Sequence, residues 1–140
     1  MIMALDVGSR RIGIAVADPS ESFALPVGTV ERSNKRNDLE RLREYFDNYG
    51  VRELVVGDPL TLSGERGIAA RAMDDFVEEL RAVFTGTIHR CDERLTTAQA
   101  TKTLVAADVS RRKRREVVDK MAAALVLESF LARRRRDGVS

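Results

Sequence analysis

The chain opens on an apolar stretch, Met1-Ile2-Met3-Ala4-Leu5, that stops at Asp6-Val7-Gly8. A short continuous apolar run ending in Asp-x-Gly predicts a buried strand over residues 2–6. After the turn Gly8-Ser9-Arg10, the residues Ile12, Ile14 and Val16 alternate with Gly13, Ala15 and Ala17. That period of two predicts a second strand with a small-residue side that packs closely against another element. A third strand is expected from Ala24 to Glu31, and sequential hairpins would join the three into an antiparallel meander.

From there the pattern alternates between helix and strand. Asn37, with Glu40 three residues on, has the form of a capping box. Leu39, Leu42, Tyr45, Phe46 and Tyr49 follow at helical spacing, and Gly50 is placed to end the helix. Residues 53–57 predict a short buried strand stopped by Asp58-Pro59. Residues 66–83 predict an amphipathic helix with Ala69, Ala72, Met73, Phe76, Val77 and Leu80 inward, and Thr87 to Cys91 a further strand. Thr96 and Gln99 mark the start of a helix ending near Ala107. A basic linker, 110–115, then leads into a last helix reaching about Arg134. The order βββαβαβαα implies an α/β fold with a mixed five-stranded sheet, three antiparallel strands followed by two parallel ones, flanked by helices. That is the order of the ribonuclease-H-like architecture, although order alone admits other mixed α/β folds.

Composition narrows the class without choosing a chemistry. At 140 residues, 44% hydrophobic and 33% charged, the chain reads as one soluble globular domain over 1–140. Its 24 Lys+Arg nearly cancel 22 Asp+Glu, so the distribution of charge matters more than the total. Arg111, Arg112, Lys113, Arg114 and Arg115 are consecutive cations, as are Arg133 to Arg136. The single cysteine, Cys91, excludes an internal disulfide, and no apolar run approaches the ~18 residues of a membrane span. A cytoplasmic protein is the expectation.

Three acids stand where apolar elements could carry carboxylates to a common point. Asp6 ends the first strand, and ligands of open α/β sheets gather at the carboxyl ends of strands. An Asp that only accepts turn hydrogen bonds fits Asp-x-Gly equally well. Glu93 follows the fifth strand closely, with Asp92 as its competitor, since adjacent extended residues face opposite ways. Its plainer reading is a surface residue paired with Arg94. Asp119 heads a helix row that continues through Ala122, Ala123, Val126 and Phe130, all core candidates. A carboxylate there needs a partner, because burying it alone costs several kcal/mol. Either a salt bridge to Arg115 or a metal would serve. The run 111–115 could contact phosphates, though a charge run is more often a solvated face, and no aromatic residues interleave it to form a base-stacking platform.

Other chemistries are poorly supplied. His89 is the only histidine, which disfavours His-based triads, and His89 with Cys91 cannot close a structural zinc site. No Walker loop or Gly-x-Gly-x-x-Gly is present. An actin-like ATPase would also place an acid on its first strand, but it needs a second lobe for which the chain has no residues.

Leu5-Asp6-Val7-Gly8 with Arg11-Ile12-Gly13-Ile14-Ala15-Val16, Val55-Val56-Gly57 with Pro59-Leu60, Asp92-Glu93-Arg94-Leu95-Thr96-Thr97, and Val118-Asp119 with Ala122-Ala123 occur here in one order. In this the chain resembles the YqgF family, Holliday-junction-resolvase-like proteins regarded as pre-16S ribosomal RNA nucleases. The resemblance spans nearly the whole chain and implies a ribonuclease-H-like fold, with active-site acids falling on Asp6, Glu93 and Asp119. The chain departs from the family pattern at Asp58 and Thr61, where an apolar residue and Asn are usual. Asp58 is then either an Asp-Pro turn residue or an extra carboxylate near the site.

The expectation is a nuclease dependent on Mg²⁺ or Mn²⁺, with Asp6, Glu93 and Asp119 as metal ligands, a two-cation site and residues 111–115 on the flanking phosphates. Structured RNA such as pre-16S rRNA and branched DNA are both open as substrates. A monomer serves the first, whereas resolving a junction calls for a two-fold homodimer. A non-catalytic, ribosome-associated RNA-binding protein of the same fold is the rival from another class.

Overall fold

A computed structural model describes residues 1–8, 10–58, 68–92 and 111–136; for residues 58, 68–70, 92 and 111–120 it gives the backbone element only. The described elements are β1 (Ile2–Val7), β2 (Arg11–Ala17), β3 (Ala24–Glu31), α1 (Lys35–Tyr49), β4 (Glu53–Asp58), α2 (Ile68–Leu80), β5 (Thr87–Asp92) and α3 (Arg111–Arg136). The expected helix over 96–107 lies outside the described residues.

The five strands form one sheet in the order β3-β2-β1-β4-β5. β1 pairs antiparallel with β2, and β2 antiparallel with β3, while β4 is parallel to both β1 and β5. The chain therefore changes from hairpin to crossover connections at β1, which lies at the centre of the sheet. The β2–β3 register shifts between Ile14 and Ala15, opposite Gly28 and Pro26, so that Val27 is the extra residue of a bulge. Pro26 is tolerated because β3 is an edge strand.

Alternation sorts the strand residues onto two faces. Met3, Leu5, Ile12, Ile14, Val16, Leu54 and Val56 face a core filled by Leu42 and Phe46 of α1 and by Met73, Phe76, Val77 and Leu80 of α2. Ile2, Ala4, Ala15, Ala17, Val55 and Cys91 face the other way, beneath Ala123, Ala124, Val126, Leu127 and Leu131 of α3. The small-residue side expected for β2 is real, and α3 lies along it, crossing β2, β3 and β1.

Three local expectations need correction. Helix α1 is capped by Asn34, not Asn37: the Asn34 side chain accepts from the Asn37 N–H at 2.9 Å, so Asn37 is the third helical residue and Glu40 completes no box. Ala72 is exposed, because the buried row of α2 is the narrower set Met73, Phe76, Val77 and Leu80. Finally, 111–115 is not a linker. It is the first turn and a half of α3, which places Asp119 inside the helix and not at its front. Gly50 does end α1, in the left-handed conformation at φ 58°.

Gly86, just before β5, sits where β4 and β5 begin, with Thr87 N–H donating to the Arg52 carbonyl at 3.2 Å. A Cβ at position 86 would collide with that carbonyl and with the Phe84 ring. Gly86→Ala is expected to cost about 1–3 kcal/mol, the usual range for overpacking. Urea unfolding checks this, and an unchanged midpoint would contradict the packing described.

Candidate active site

Asp6 is the penultimate residue of β1 and is half-buried. It shares the parity of Ile2 and Ala4 and so belongs to the sheet face covered by α3. Its neighbours across the sheet are unusually small. Its antiparallel partner on β2 is Gly13. On the β4 side, Val56 partners Leu5, and the next residue is the buried Gly57, on the same face as Val55. Neither adjacent strand therefore sets a side chain beside Asp6 on this face. A carboxylate at a strand's carboxyl end, flanked by two glycines, has room for a ligand.

Helix α3 covers this face and is anchored at the other end of the sheet. Near its C-terminus, Arg134 binds Glu53, the first residue of β4, whose register partner on β1 is Ile2. The C-terminal end of α3 thus sits at the end of the sheet where β1 and β4 begin. The fifteen residues from Asp119 to Arg134 span ~22 Å of helix, and the four from Ile2 to Asp6 span ~13 Å of strand. Asp119 is therefore well away from the Arg134–Glu53 anchor, in the N-terminal half of α3. Asp119 lies four residues before Ala123 and seven before Val126, both on the row that meets the sheet.

Glu93 is the residue after β5 and lies outside the described residues, as does Thr61. Asp92 closes β5 at a position of the same parity as Ile88, which packs toward α1 and α2, the face opposite Asp6. Asp58 is the last residue of β4, in register with Asp92, and by alternation it also belongs to that opposite face. Arg111, Arg112, Lys113, Arg114 and Arg115 occupy the N-terminal turns of α3. Helical spacing puts only positions 112 and 115 on the row of Asp119.

A family model described as RuvX, Holliday junction resolvase, matches residues 1–133. The chain belongs to that family. A RuvX-family relative from Desulforudis audaxviator, named "Putative pre-16S rRNA nuclease", is 46% identical over 134 residues, covering 96% of this chain and 95% of the relative. One of the same name from Moorella thermoacetica is 44% identical and covers 99% of each chain. Among solved structures, T. thermophilus RuvC in complex with a Holliday junction substrate aligns with a TM-score of 0.55 at 13% identity, over 99% of this chain and 98% of that one. Fowlpox virus resolvase, solved with Holliday junction DNA, aligns with a TM-score of 0.54 at 9% identity, over 94% and 97%. These structures establish the ribonuclease-H-like fold, and the family places the chain among nucleases.

The opposite end of this RuvX-family sheet carries a cleft of about 400 Å³ lined by residues that include Met1, Asp18, Glu21 and Glu53. It lies at the amino end of β1, the length of the strand away from Asp6, and its three carboxylates are engaged by residues outside its lining. Glu53 accepts from Nη1 and Nη2 of Arg134 and, at 3.0 Å, from His89 Nε2. The Phe130 ring lies against both, 4.8 Å from the His89 ring centroid and 4.6 Å from the Arg134 guanidinium carbon. The Arg134 hydrogen bond, with His89 in support, holds the Glu53 carboxyl below the usual range against the opposing pull of desolvation. This cluster fastens the C-terminal end of α3 to the sheet. Asp18 is a turn organiser: it accepts from the Ser20 hydroxyl, from Phe23 N–H at 2.7 Å and from Ser22 N–H at 2.8 Å.

Those bonds, the Ser20 hydroxyl first, lower the Asp18 pKa from 3.8 to about 2. Because the folded value is the depressed one, the stabilisation is complete above 3.8 and disappears as pH falls toward about 2. The stability difference between the parent and Asp18→Asn should therefore be constant at neutral pH and shrink through that window. Urea unfolding as a function of pH measures it, and a gap unchanged by acid would contradict the assignment.

Proposed function

We propose that the chain is a divalent-metal-dependent nuclease that processes pre-16S ribosomal RNA, with Asp6, Glu93 and Asp119 as ligands of Mg²⁺ or Mn²⁺. The carrying observation is that Asp6 stands at the carboxyl end of β1, between two glycines, on the one sheet face that α3 crosses. The donor set fits the group: three carboxylates offer only hard oxygen ligands, which suit Mg²⁺ and Mn²⁺ and not softer metals. Glu93 enters through the motif Asp92-Glu93-Arg94-Leu95-Thr96-Thr97, which follows β5 directly.

A divalent cation bound there supplies positive charge to a phosphodiester and an acidified water as nucleophile. The remaining work falls to the chain. Asp6 is fixed by β1, the most enclosed strand of the sheet, and Asp119 by a helix clamped at its far end through Arg134 and Glu53. Three clustered carboxylates repel one another, so the fold must hold them together until a cation arrives. The cations at 111–115 lie in the N-terminal turns of α3, the positive end of the helix dipole, and attract the phosphates flanking the scissile bond. Binding should accordingly weaken steeply with salt.

The homologues' name favours RNA, while the family description favours a four-way DNA junction as the second substrate to test. Purified protein with Mg²⁺ is expected to cut structured pre-16S RNA. Asp6→Asn and Asp119→Asn should each lose more than the roughly 10–100-fold typical of removing an outer partner of a metal ligand. Variants that cut as fast as the parent, or cleavage undiminished by chelator, would overturn the reading. Salt-dependent RNA binding without turnover would point instead to a non-catalytic RNA-binding protein.

A further inference from the structure

The chain leaves β1 one residue after Asp6, so the turn at Gly8 sets where that carboxylate ends up. The turn is closed by Gly8 N–H donating to the Arg11 carbonyl at 2.8 Å. It is also gripped from β3. Arg32, the residue after that strand, donates its backbone N–H to the Arg10 carbonyl at 2.8 Å and its Nη1 to the Gly8 carbonyl at 2.9 Å. The same guanidinium has Nε 3.7 Å from Asp38 Oδ2 in α1 and lies over the Phe76 ring of α2, 5.6 Å from its centroid.

Asp38 is 3% exposed and, among the described residues, the one buried charged side chain. Its other oxygen accepts Ser33 N–H at 3.0 Å, which fixes the backbone beside Arg32. A buried carboxylate left unpaired is strongly unfavourable, so Asp38 holds the guanidinium in place and the guanidinium holds the turn. Only arginine, planar with five donors, can serve a carboxylate, a carbonyl and an aromatic face together; the compact ammonium of lysine cannot.

We infer that Arg32, anchored by buried Asp38, is a positioning residue that locks the turn after Asp6 and thereby aims the Asp6 carboxylate at the cation. The inference rests on the metal-dependent reading above. A misplacement of 1 Å at a reacting centre can cost about a hundredfold in rate, and outer partners of metal ligands are typically worth about 10–100-fold in affinity or activity.

The test compares the full-length parent with Arg32→Lys, Arg32→Gln and Asp6→Asn. Mn²⁺ affinity is measured by calorimetry on metal-free protein, kcat and KM on the structured RNA, and folding by urea. Arg32→Lys keeps the charge beside Asp38 and should keep a nearly parental unfolding midpoint. Its Mn²⁺ affinity and kcat should each fall about tenfold or more with KM unchanged, and amide exchange over residues 7–11 should quicken. Arg32→Gln should show the same losses or larger ones. Parental Mn²⁺ affinity and kcat in folded Arg32→Lys and Arg32→Gln would overturn the inference. So would a salt-dependent rise in KM alone, which marks a phosphate contact. If Asp6→Asn binds Mn²⁺ and cuts like the parent, the metal-site reading itself fails. If Asp6→Asn loses both while the Arg32 variants keep both, only the positioning role fails.

Discussion

The close approach of α3 to the sheet is the constraint on which the rest of the molecule depends. Ala4, Ala15 and Ala17 on the strands meet Ala123 and Ala124 on the helix, and alanine against alanine lets the helix axis approach more nearly than larger side chains would permit. Larger residues farther along, Val126, Leu127 and Leu131, fill the space as the helix passes over the rest of the face. At the far end, Glu53 receives Arg134 and His89 and stops the helix from sliding. With its height and one end fixed, α3 is held against this face, and the turn carrying Asp119 belongs to it. Asp6 lies on the same sheet face, on a strand whose neighbours there, Gly13 and Gly57, contribute no side chain.

The two long faces of the sheet do different jobs. The side under α1 and α2 is a conventional large-residue core of Leu, Ile, Met and Phe, which supplies most of the apolar burial and hence most of the stability. The side under α3 is thinner and built from smaller residues. A polar site can be held at its edge without cutting into the main core. Change at the β1 turn reaches the main core through Arg32, which touches both α1 and α2.

The period-two pattern over 12–17 revealed both the second strand and the face that receives a helix, because glycine and alanine on alternate positions have a direct steric meaning. Helix ends were less legible. Asn34 and Asn37 are both good capping residues three apart, and the tertiary placement of Ser33 against Asp38 decides between them. The cations at 111–115 look like a loop by composition, yet they continue a helix whose stability comes from the apolar row further on.

Acids on apolar helix rows were the most informative signal, and one was missed. Asp38 precedes Leu42 and Phe46 at intervals of four, the same pattern that drew attention to Asp119. Its partner, Arg32, comes from the preceding strand end, and no local spacing announces it. One pattern thus has two solutions: an arginine for Asp38 and, if Asp119 is a metal ligand, a cation for Asp119. Anomalous diffraction from Mn²⁺-soaked crystals tests this most directly. Manganese between the carboxylates of Asp6 and Asp119 is the predicted result. Asp119 paired with Arg115, and no manganese beside Asp6, would contradict it.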